Sequence, residues 1–196
     1  MSTVDYYNQN AETYTHGTVN ADVSNLYSRF EPYLSEHASI LDIGCGSGRD
    51  SKHFIKAGFR VTAIDGSIEI CRQAERLIGQ HVRCMLFDEI DYDEAFDGAW
   101  ACASLLHVPK SEMQSVLQKI YKALKPNGVF YASFKYGDSE REVGGRYFSD
   151  FTEKDIPVLT GFLPDMILKE HWISEDVRSD RANEKWLNII WQKRDT

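Results

Sequence analysis

The sequence predicts an α/β fold in which a doubly wound, mostly parallel sheet of seven strands is covered by helices. Three observations predict it. From Ile40 onward, short β-rich runs alternate with helical patterns, as a parallel sheet with crossover helices requires. The first of those runs breaks into glycines at alternate positions, Gly44, Gly46 and Gly48. Glycine has no Cβ and accepts positive φ, so such a loop can turn sharply beneath a ligand. The chain then closes on two strand-like runs joined by a charged turn, which reads as an antiparallel pair.

Taken in order, the first segment is Asp5 to Tyr14, rich in tyrosine, and a helical stretch is predicted over about 20–34. Strands are predicted over 40–43, 60–64, 81–87, 96–103 and 129–134, with helices over 50–57, 68–78 and 111–124. The last of these helices opens with Ser111 and Gln114 as a capping box. Its apolar residues Met113, Val116, Leu117, Ile120, Tyr121 and Leu124 recur at helical spacing and belong to the core. Lys125-Pro-Asn-Gly128 then ends it. A polar loop over 135–150 follows, then a short helix capped by Thr152 and Asp155. The closing strands are predicted over 167–173 and 186–192, joined by the turn 174–184.

At 196 residues the chain fits one domain with a sizeable core. A net charge of -8 argues against a general nucleic-acid binder, although a local basic patch is compatible with it. No apolar stretch approaches the ~18 residues of a membrane helix, and the polar N-terminus does not read as a signal peptide. Cys45, Cys71, Cys84 and Cys102 form no C-x-x-C, and the histidines do not cluster. The expectation is buried thiols in a reducing cytoplasm, with neither a metal site nor a disulfide framework.

The glycine spacing narrows the ligand. A dinucleotide fold uses G-x-G-x-x-G, with the pyrophosphate on a helix N-terminus. Here the third glycine comes one residue early, and Arg49 stands where a small residue is needed. Asp42, inside the first strand, would repel a pyrophosphate and suits a positively charged ligand. There is no G-x-x-x-x-G-K-[ST] phosphate loop. Asp65, at the end of the second predicted strand and about 20 residues on, occupies the position of a ribose-binding acid.

Residues 41–48, Leu-Asp-Ile-Gly-Cys-Gly-Ser-Gly, and 61–67, Val-Thr-Ala-Ile-Asp-Gly-Ser, resemble the first two motifs of class I S-adenosylmethionine-dependent methyltransferases. The resemblance covers roughly Asp5 to Phe134, and the closing hairpin in outline. It implies a Rossmann-like sheet with an antiparallel C-terminal strand. The implied cofactor is S-adenosyl-L-methionine, which leaves as S-adenosyl-L-homocysteine. Its ammonium, sulfonium and ribose diol suit an acidic pocket.

The resemblance also assigns roles. Gly44, Cys45, Gly46, Gly48 and Gly66 would cradle the cofactor, and Asp65 would accept both ribose hydroxyls. Asp88 would accept from the adenine amino group, with Phe87 or Glu89 beside it; the alternative is a plain strand-end turn. Ile68 either covers the adenine face or is core. Asp42 would hold the glycine loop or the ammonium at one remove, and Arg49 is either a surface residue or an organising salt bridge. Asp97 would order backbone. Ser104 and His107 would face cofactor or acceptor, with His107 the candidate base near neutral pH. Tyr7 and Tyr14 either form a lid over the cofactor or pack as an amphipathic segment.

The acceptor side is expected from two clusters. One is Gly144 to Phe148, with Arg146 and Tyr147; the other is Asp176 to Arg181, with Arg178, Arg181 and, beyond it, Trp186, where arginine beside aromatic rings can grip an anion. The alternative is a solvated, charged hairpin. Residues 144–148 resemble a stretch of tRNA wobble-uridine methyltransferases, and the glycine loop with Arg49-Asp-Ser51 resembles small tellurite-resistance-type enzymes. The N-P-P-Tyr signature for exocyclic base amines is absent. The expected organisation is therefore one methyltransferase domain: 1–36 as a lid or helical segment, 37–135 as cofactor core, and 136–196 as substrate-side loop and hairpin. The expected activity is methyl transfer to a small molecule by a monomer or homodimer, with no membrane partner. A tRNA acceptor, or an inactive cofactor-binding module, is the alternative.

Overall fold

The computed structural model describes residues 2–178, 181 and 183–195. Its central sheet has seven strands in the order β3-β2-β1-β4-β5-β9-β8. These are β1 (Ser39–Ile43), β2 (Arg60–Asp65), β3 (Val82–Cys84), β4 (Phe96–Ala101), β5 (Leu124–Lys135), β8 (Met166–Glu175) and β9 (Lys185–Lys193). The first five pair in parallel, and β9 runs antiparallel to both β5 and β8. The predicted sheet is thus observed, including the antiparallel C-terminal strand. Strand order reverses between β1 and β4, and in such sheets a ligand crevice opens beyond the carboxyl ends of the strands at that point.

Alternation along each strand feeds two core layers. Leu41, Ile43, Phe130, Ala132 and Phe134 face one side and pack with Met113, Val116, Leu117 and Ile120 of α5 (Lys110–Ala123). Ile40, Trp100, Val129 and Tyr131 face the other, against Tyr27 and Phe30 of α2 (Ser24–Phe30) and Phe54 of α3 (Arg49–Lys56). Trp100 and Tyr131 stack with centroids 4.1 Å apart, both fully buried, so this layer is closed by rings directly behind the glycine loop. A smaller cluster joins Cys45 and Ala63 to Cys71 and Ala74 of α4 (Ile68–Ile78).

Several boundaries differ from the sequence expectation. The capping box at Ser111 does not form: α5 begins at Lys110 after Pro109, with no side-chain cap. The orphan amide of Lys110 instead donates to Glu140 Oε1 at 2.8 Å, a long-range acceptor that local spacing cannot reveal. Lys125 to Gly128 ends the helix but lies inside β5, where the register with β4 shifts and Asn127 takes a φ of 63°. The helix predicted over 20–34 shortens to α2 and a 3₁₀ turn, Glu31–Tyr33, because Pro32 cannot continue an α-helix.

One element was not anticipated. The polar loop contains a hairpin of β6 (Glu140–Val143) and β7 (Arg146–Ser149), turned by Gly144 and Gly145 at φ 59° and 78°. The tyrosine-rich segment is α1 (Thr3–Thr18), whose Ser2 and Asp5 form a capping box. It kinks at Asn10, whose side-chain amide donates to the Tyr6 carbonyl at 2.8 Å. The helix bridges the strand ends: Asn8 Oδ1 accepts from Ser67 Oγ at 2.7 Å, and Thr3 Oγ1 accepts from the Tyr147 amide at 3.0 Å. α6 (Ile156–Gly161) follows a 3₁₀ turn capped by Thr152 and Asp155, as expected.

Candidate active site

The glycine loop begins where β1 ends. The amides of Gly44 and Cys45 both donate to the Ile64 carbonyl at 2.9 Å, which pins the loop to the end of β2. Gly44 has a φ of +68°, and a Cβ there would lie 2.5 Å from Ser104 Cβ. No other residue fits this position without moving the β4 loop. The Gly46 amide turns inward and donates to Asp65 Oδ2 at 3.1 Å, while the Ser67 amide donates to Oδ1 at 2.9 Å. Burial pushes the Asp65 carboxyl up to about 6, against the pull of those two N–H groups. A carboxylate offers about four acceptor positions, so Asp65 retains capacity for a ligand.

Asp65 opens into a cavity that is also lined by Gly44, Gly46, Gly66 and Ser104, with Met85, Leu86 and Phe87 forming an apolar end. Ser104 Oγ is buried and has no hydrogen-bond partner among the described residues. α1 roofs the cavity with Tyr7 and Tyr14, and the Tyr14 hydroxyl would stand 3.0 Å from a Cβ on Gly46. A flat, diol-bearing ligand with one polar end fits this chemistry: two acceptors at Asp65, an apolar slot and a free hydroxyl.

A second cavity adjoins the first and shares Tyr7, Tyr14, Gly44, Gly46, Ala103 and His107 with it. At this shared wall the Tyr7 hydroxyl and His107 Nε2 are 2.8 Å apart, and His107 Nδ1 is 2.6 Å from the Tyr147 carbonyl. A carbonyl only accepts, so Nδ1 carries the proton and Nε2 accepts from Tyr7. Burial depresses His107 to about 4; the Tyr147 carbonyl opposes the shift, and the charges of Arg146 and Lys135 add to it. The ring is therefore a neutral base throughout the physiological range.

Behind that wall stands a buried charge network. Arg49 donates to Asp50 from Nε at 2.6 Å and from Nη2 at 3.0 Å, and Asp50 also accepts from the Tyr27 hydroxyl and the Trp100 ring N–H. Burial works against the Asp50 charge, yet Arg49 and these donors hold the carboxyl below its ordinary value. Farther round the second cavity, Lys135 pairs with Glu184 and Arg178 with Asp176, while Phe148 and Trp186 supply aromatic faces.

The structure thus brings Tyr7, Tyr14, Gly44, Cys45, Gly46, Arg49, Asp65, Gly66, Phe87, Ser104, His107, Arg146, Arg178 and Arg181 to the two cavities. Six other predicted residues are not in their lining. Asp42 turns away and accepts from Ser51 Oγ of α3; burial and the Asp50 charge raise it to about 8. Gly48 packs on α4, where a Cβ would meet Ala74 and Ile78 at 3.2 Å. Ile68 is 43 % exposed, and Ile70 lines the cavity instead. Asp88 and Glu89 are exposed, with Glu89 closing its own turn onto the Leu86 amide. The Tyr147 ring points outward to Glu140, and only its backbone reaches the site. Asp97 holds Ser39 at the start of β1, at the strand ends opposite the glycine loop, an ordering role as expected. Within the expected turn, Ser179, Asp180 and Ala182 lie outside the described residues.

Lys135 and Asn188 were missed, although Lys135 ends β5 and strand ends at the crevice were a usable signal. Among the described residues, no group of His, Cys, Asp and Glu could hold a metal ion, and no helix is long and apolar enough to cross a membrane.

This fold and site define an α/β protein with two adjoining cavities at the carboxyl ends of its strands. Residues 40–128 match a family described as a methyltransferase domain. A crystal structure of the 1,6-didemethyltoxoflavin-N1-methyltransferase from Burkholderia thailandensis, with S-adenosylhomocysteine and 1,6-didemethyltoxoflavin bound, is 26 % identical. It matches with a TM-score of 0.76 over 98 % of this chain and 85 % of that one. A malonyl-[acyl-carrier protein] O-methyltransferase of Salmonella typhimurium is 33 % identical over 96 residues, 48 % of this chain and 38 % of its own length. A ubiquinone biosynthesis O-methyltransferase of Pasteurella multocida is 33 % identical over 123 residues, 52 % of this chain and 50 % of its own length. The chain spans half or less of the length of these curated relatives. Residues 40–128 thus match a methyltransferase domain, and the whole chain shares its fold with an S-adenosylmethionine-dependent methyltransferase.

Proposed function

We propose that the chain transfers a methyl group from S-adenosylmethionine to a small-molecule acceptor held in the second cavity. One observation carries the reading: the nucleoside cavity and the second cavity share a single wall at the glycine loop and His107. When bound, S-adenosylmethionine supplies a methyl group already activated by its sulfonium. The protein's task is then alignment and exclusion of water.

In this reading Asp65 accepts the ribose hydroxyls and the Gly44–Gly46 backbone lies under the amino-acid end. Met85, Leu86 and Phe87 hold the adenine, and Asp88, exposed beside them, accepts from its amino group. α1 is the lid, since Tyr7 and Tyr14 close the cavity roof and Asn8 latches onto the N-terminal turn of α4. Asp42 and Gly48 support the loop from behind through α3 and α4. Tyr7 and His107 stand where an acceptor would lose a proton. A hydroxyl or amine acceptor passes its proton to the Tyr7 oxygen as Tyr7 passes its own to His107 Nε2. A softer nucleophile, such as a thiolate, needs neither.

A tRNA acceptor predicts a basic face along 135–146 and 178–193. Lys135, Arg146, Arg178 and Arg181 do share a cavity, but Glu184 and Asp176 neutralise Lys135 and Arg178, and Asp150 neutralises Arg141. The arrangement favours a small ligand over a polyanion.

The test supplies purified protein with methyl-labelled S-adenosylmethionine and a cell extract separated into small-molecule, RNA and protein fractions. Label in the small-molecule fraction that disappears with Asp65→Ala supports the proposal. Label confined to RNA or protein contradicts the acceptor class, and no label in any fraction contradicts transfer itself.

A further inference from the structure

Arg146 is a cation placed at the second cavity without a carboxylate. It opens β7 directly after the glycine turn, and its guanidinium carbon lies 4.6 Å from the Tyr6 ring centroid and 5.2 Å from that of Phe148. No salt bridge to Arg146 exists among the described residues, and its Nε is buried with no hydrogen-bond partner. The neighbouring cations differ. Arg49, Lys135 and Arg178 each hold a carboxylate. A buried guanidinium donor left unmade disfavours the folded state, so the fold retains it against a cost that an arriving acceptor group would remove.

The surroundings say what that group is. Two rings flank the guanidinium, which leaves the edge of its planar fork for a ligand. Carboxylates and phosphates match that edge with paired N–H···O bonds, whereas a neutral carbonyl gains less. Phe148 also packs on His107 with centroids 5.0 Å apart, which sets Arg146 one ring away from the Tyr7–His107 pair. Arg146 acts on that pair directly. Burial raises the Tyr7 hydroxyl, and a hydrogen bond and the charge of Arg146 oppose it. Trp186 and Leu106 add apolar surface to the same cavity.

We infer that the methyl acceptor is a small anion, a carboxylate or phosphate on a flat apolar body, anchored at Arg146. The inference rests on the reading of the second cavity as the acceptor site. It accounts for a protein of net charge -8 that nevertheless gathers arginines at one cavity. The charge that recruits the acceptor is local, and it is the one cation of the four considered that has no internal carboxylate.

Saturating S-adenosylhomocysteine would first be bound, and benzoate, phenyl phosphate and neutral benzamide then titrated by calorimetry. Benzoate or phenyl phosphate should bind at least about tenfold more tightly than benzamide, and the stronger of the two names the anion. Arg146→Met should weaken that anion about ten- to hundredfold while the affinity for S-adenosylhomocysteine stays within about twofold. Arg146→Lys, which keeps the charge and loses the fork, should fall between them and serves if the methionine variant does not fold. Equal binding of benzamide, no binding of either anion, or undiminished anion binding by both variants overturns the inference. Failure of wild-type protein to bind S-adenosylhomocysteine would instead overturn the methyltransferase reading on which it depends.

Discussion

The two cavities share a wall but are built by different means. The nucleoside side is made mostly of backbone and strand ends. Gly44 and Cys45 are tied to Ile64, and Asp65, the last residue of its strand, is held by two backbone amides. The proposed acceptor side is walled by long side chains carried on α1, the β6–β7 hairpin and the start of β9, elements distant in sequence that meet only in the folded chain. Backbone fixes geometry with few degrees of freedom, so it suits a ligand that does not change. Side chains on a hairpin can be exchanged without disturbing the sheet, so they suit a ligand that differs from one family member to another.

The largest effect is expected at the buried charge network lining the second cavity. Asp50→Ala leaves Arg49 buried without its carboxylate and should lower unfolding stability by about 3–5 kcal/mol in denaturant titration. A loss below about 1 kcal/mol would mean that the network is not a structural joint. Next comes the backbone itself. Gly44→Ala forces a Cβ within 2.5 Å of Ser104 at a positive φ, and should lose about 2–4 kcal/mol together with cofactor binding. Retention of full affinity would show that the loop is softer than its geometry implies.

The shared wall gives a pH signature. Burial holds His107 near 4, below its ordinary 6.5, so folding favours the neutral ring. Between those values the unfolded chain binds the extra proton. The contribution is therefore complete above pH 6.5 and is lost as pH falls toward 4. The stability advantage of wild type over His107→Gln should shrink over that window, by on the order of 1–3 kcal/mol. A constant difference from pH 7 to 4 would show that the ring is not buried neutral. The smallest effect sharpens a boundary: Ile68→Ser, at an exposed position outside both cavities, should change stability and cofactor affinity by less than about 0.5 kcal/mol.

How legible each half was in the sequence follows from the same distinction. The glycine loop and Asp65 could be read directly, since their spacing along the chain is their geometry in the fold. The sheet was legible for a similar reason, since Ile40, Trp100 and Tyr131 alternate with Leu41, Ala99 and Phe130 at period two. What failed depended on partners far away. Glu140 caps α5 from another hairpin, so the local capping signal at Ser111 misplaced the helix start. Tyr147 carries the right chemistry on the wrong face of β7, because one residue along a strand reverses the side chain. Asp42 is expected to hold the glycine loop or the ammonium at one remove, and the partner that spacing alone did not name is Ser51 on the next helix.

The most direct test of this division is the affinity for S-adenosylhomocysteine, measured by calorimetry on wild type, Asp65→Ala and Arg146→Met. The account predicts a loss of about 1.5–3 kcal/mol for Asp65→Ala and no change beyond a few tenths for Arg146→Met. Equal losses in both variants, or none at Asp65, would contradict a nucleoside site on one side of the shared wall and an acceptor site on the other.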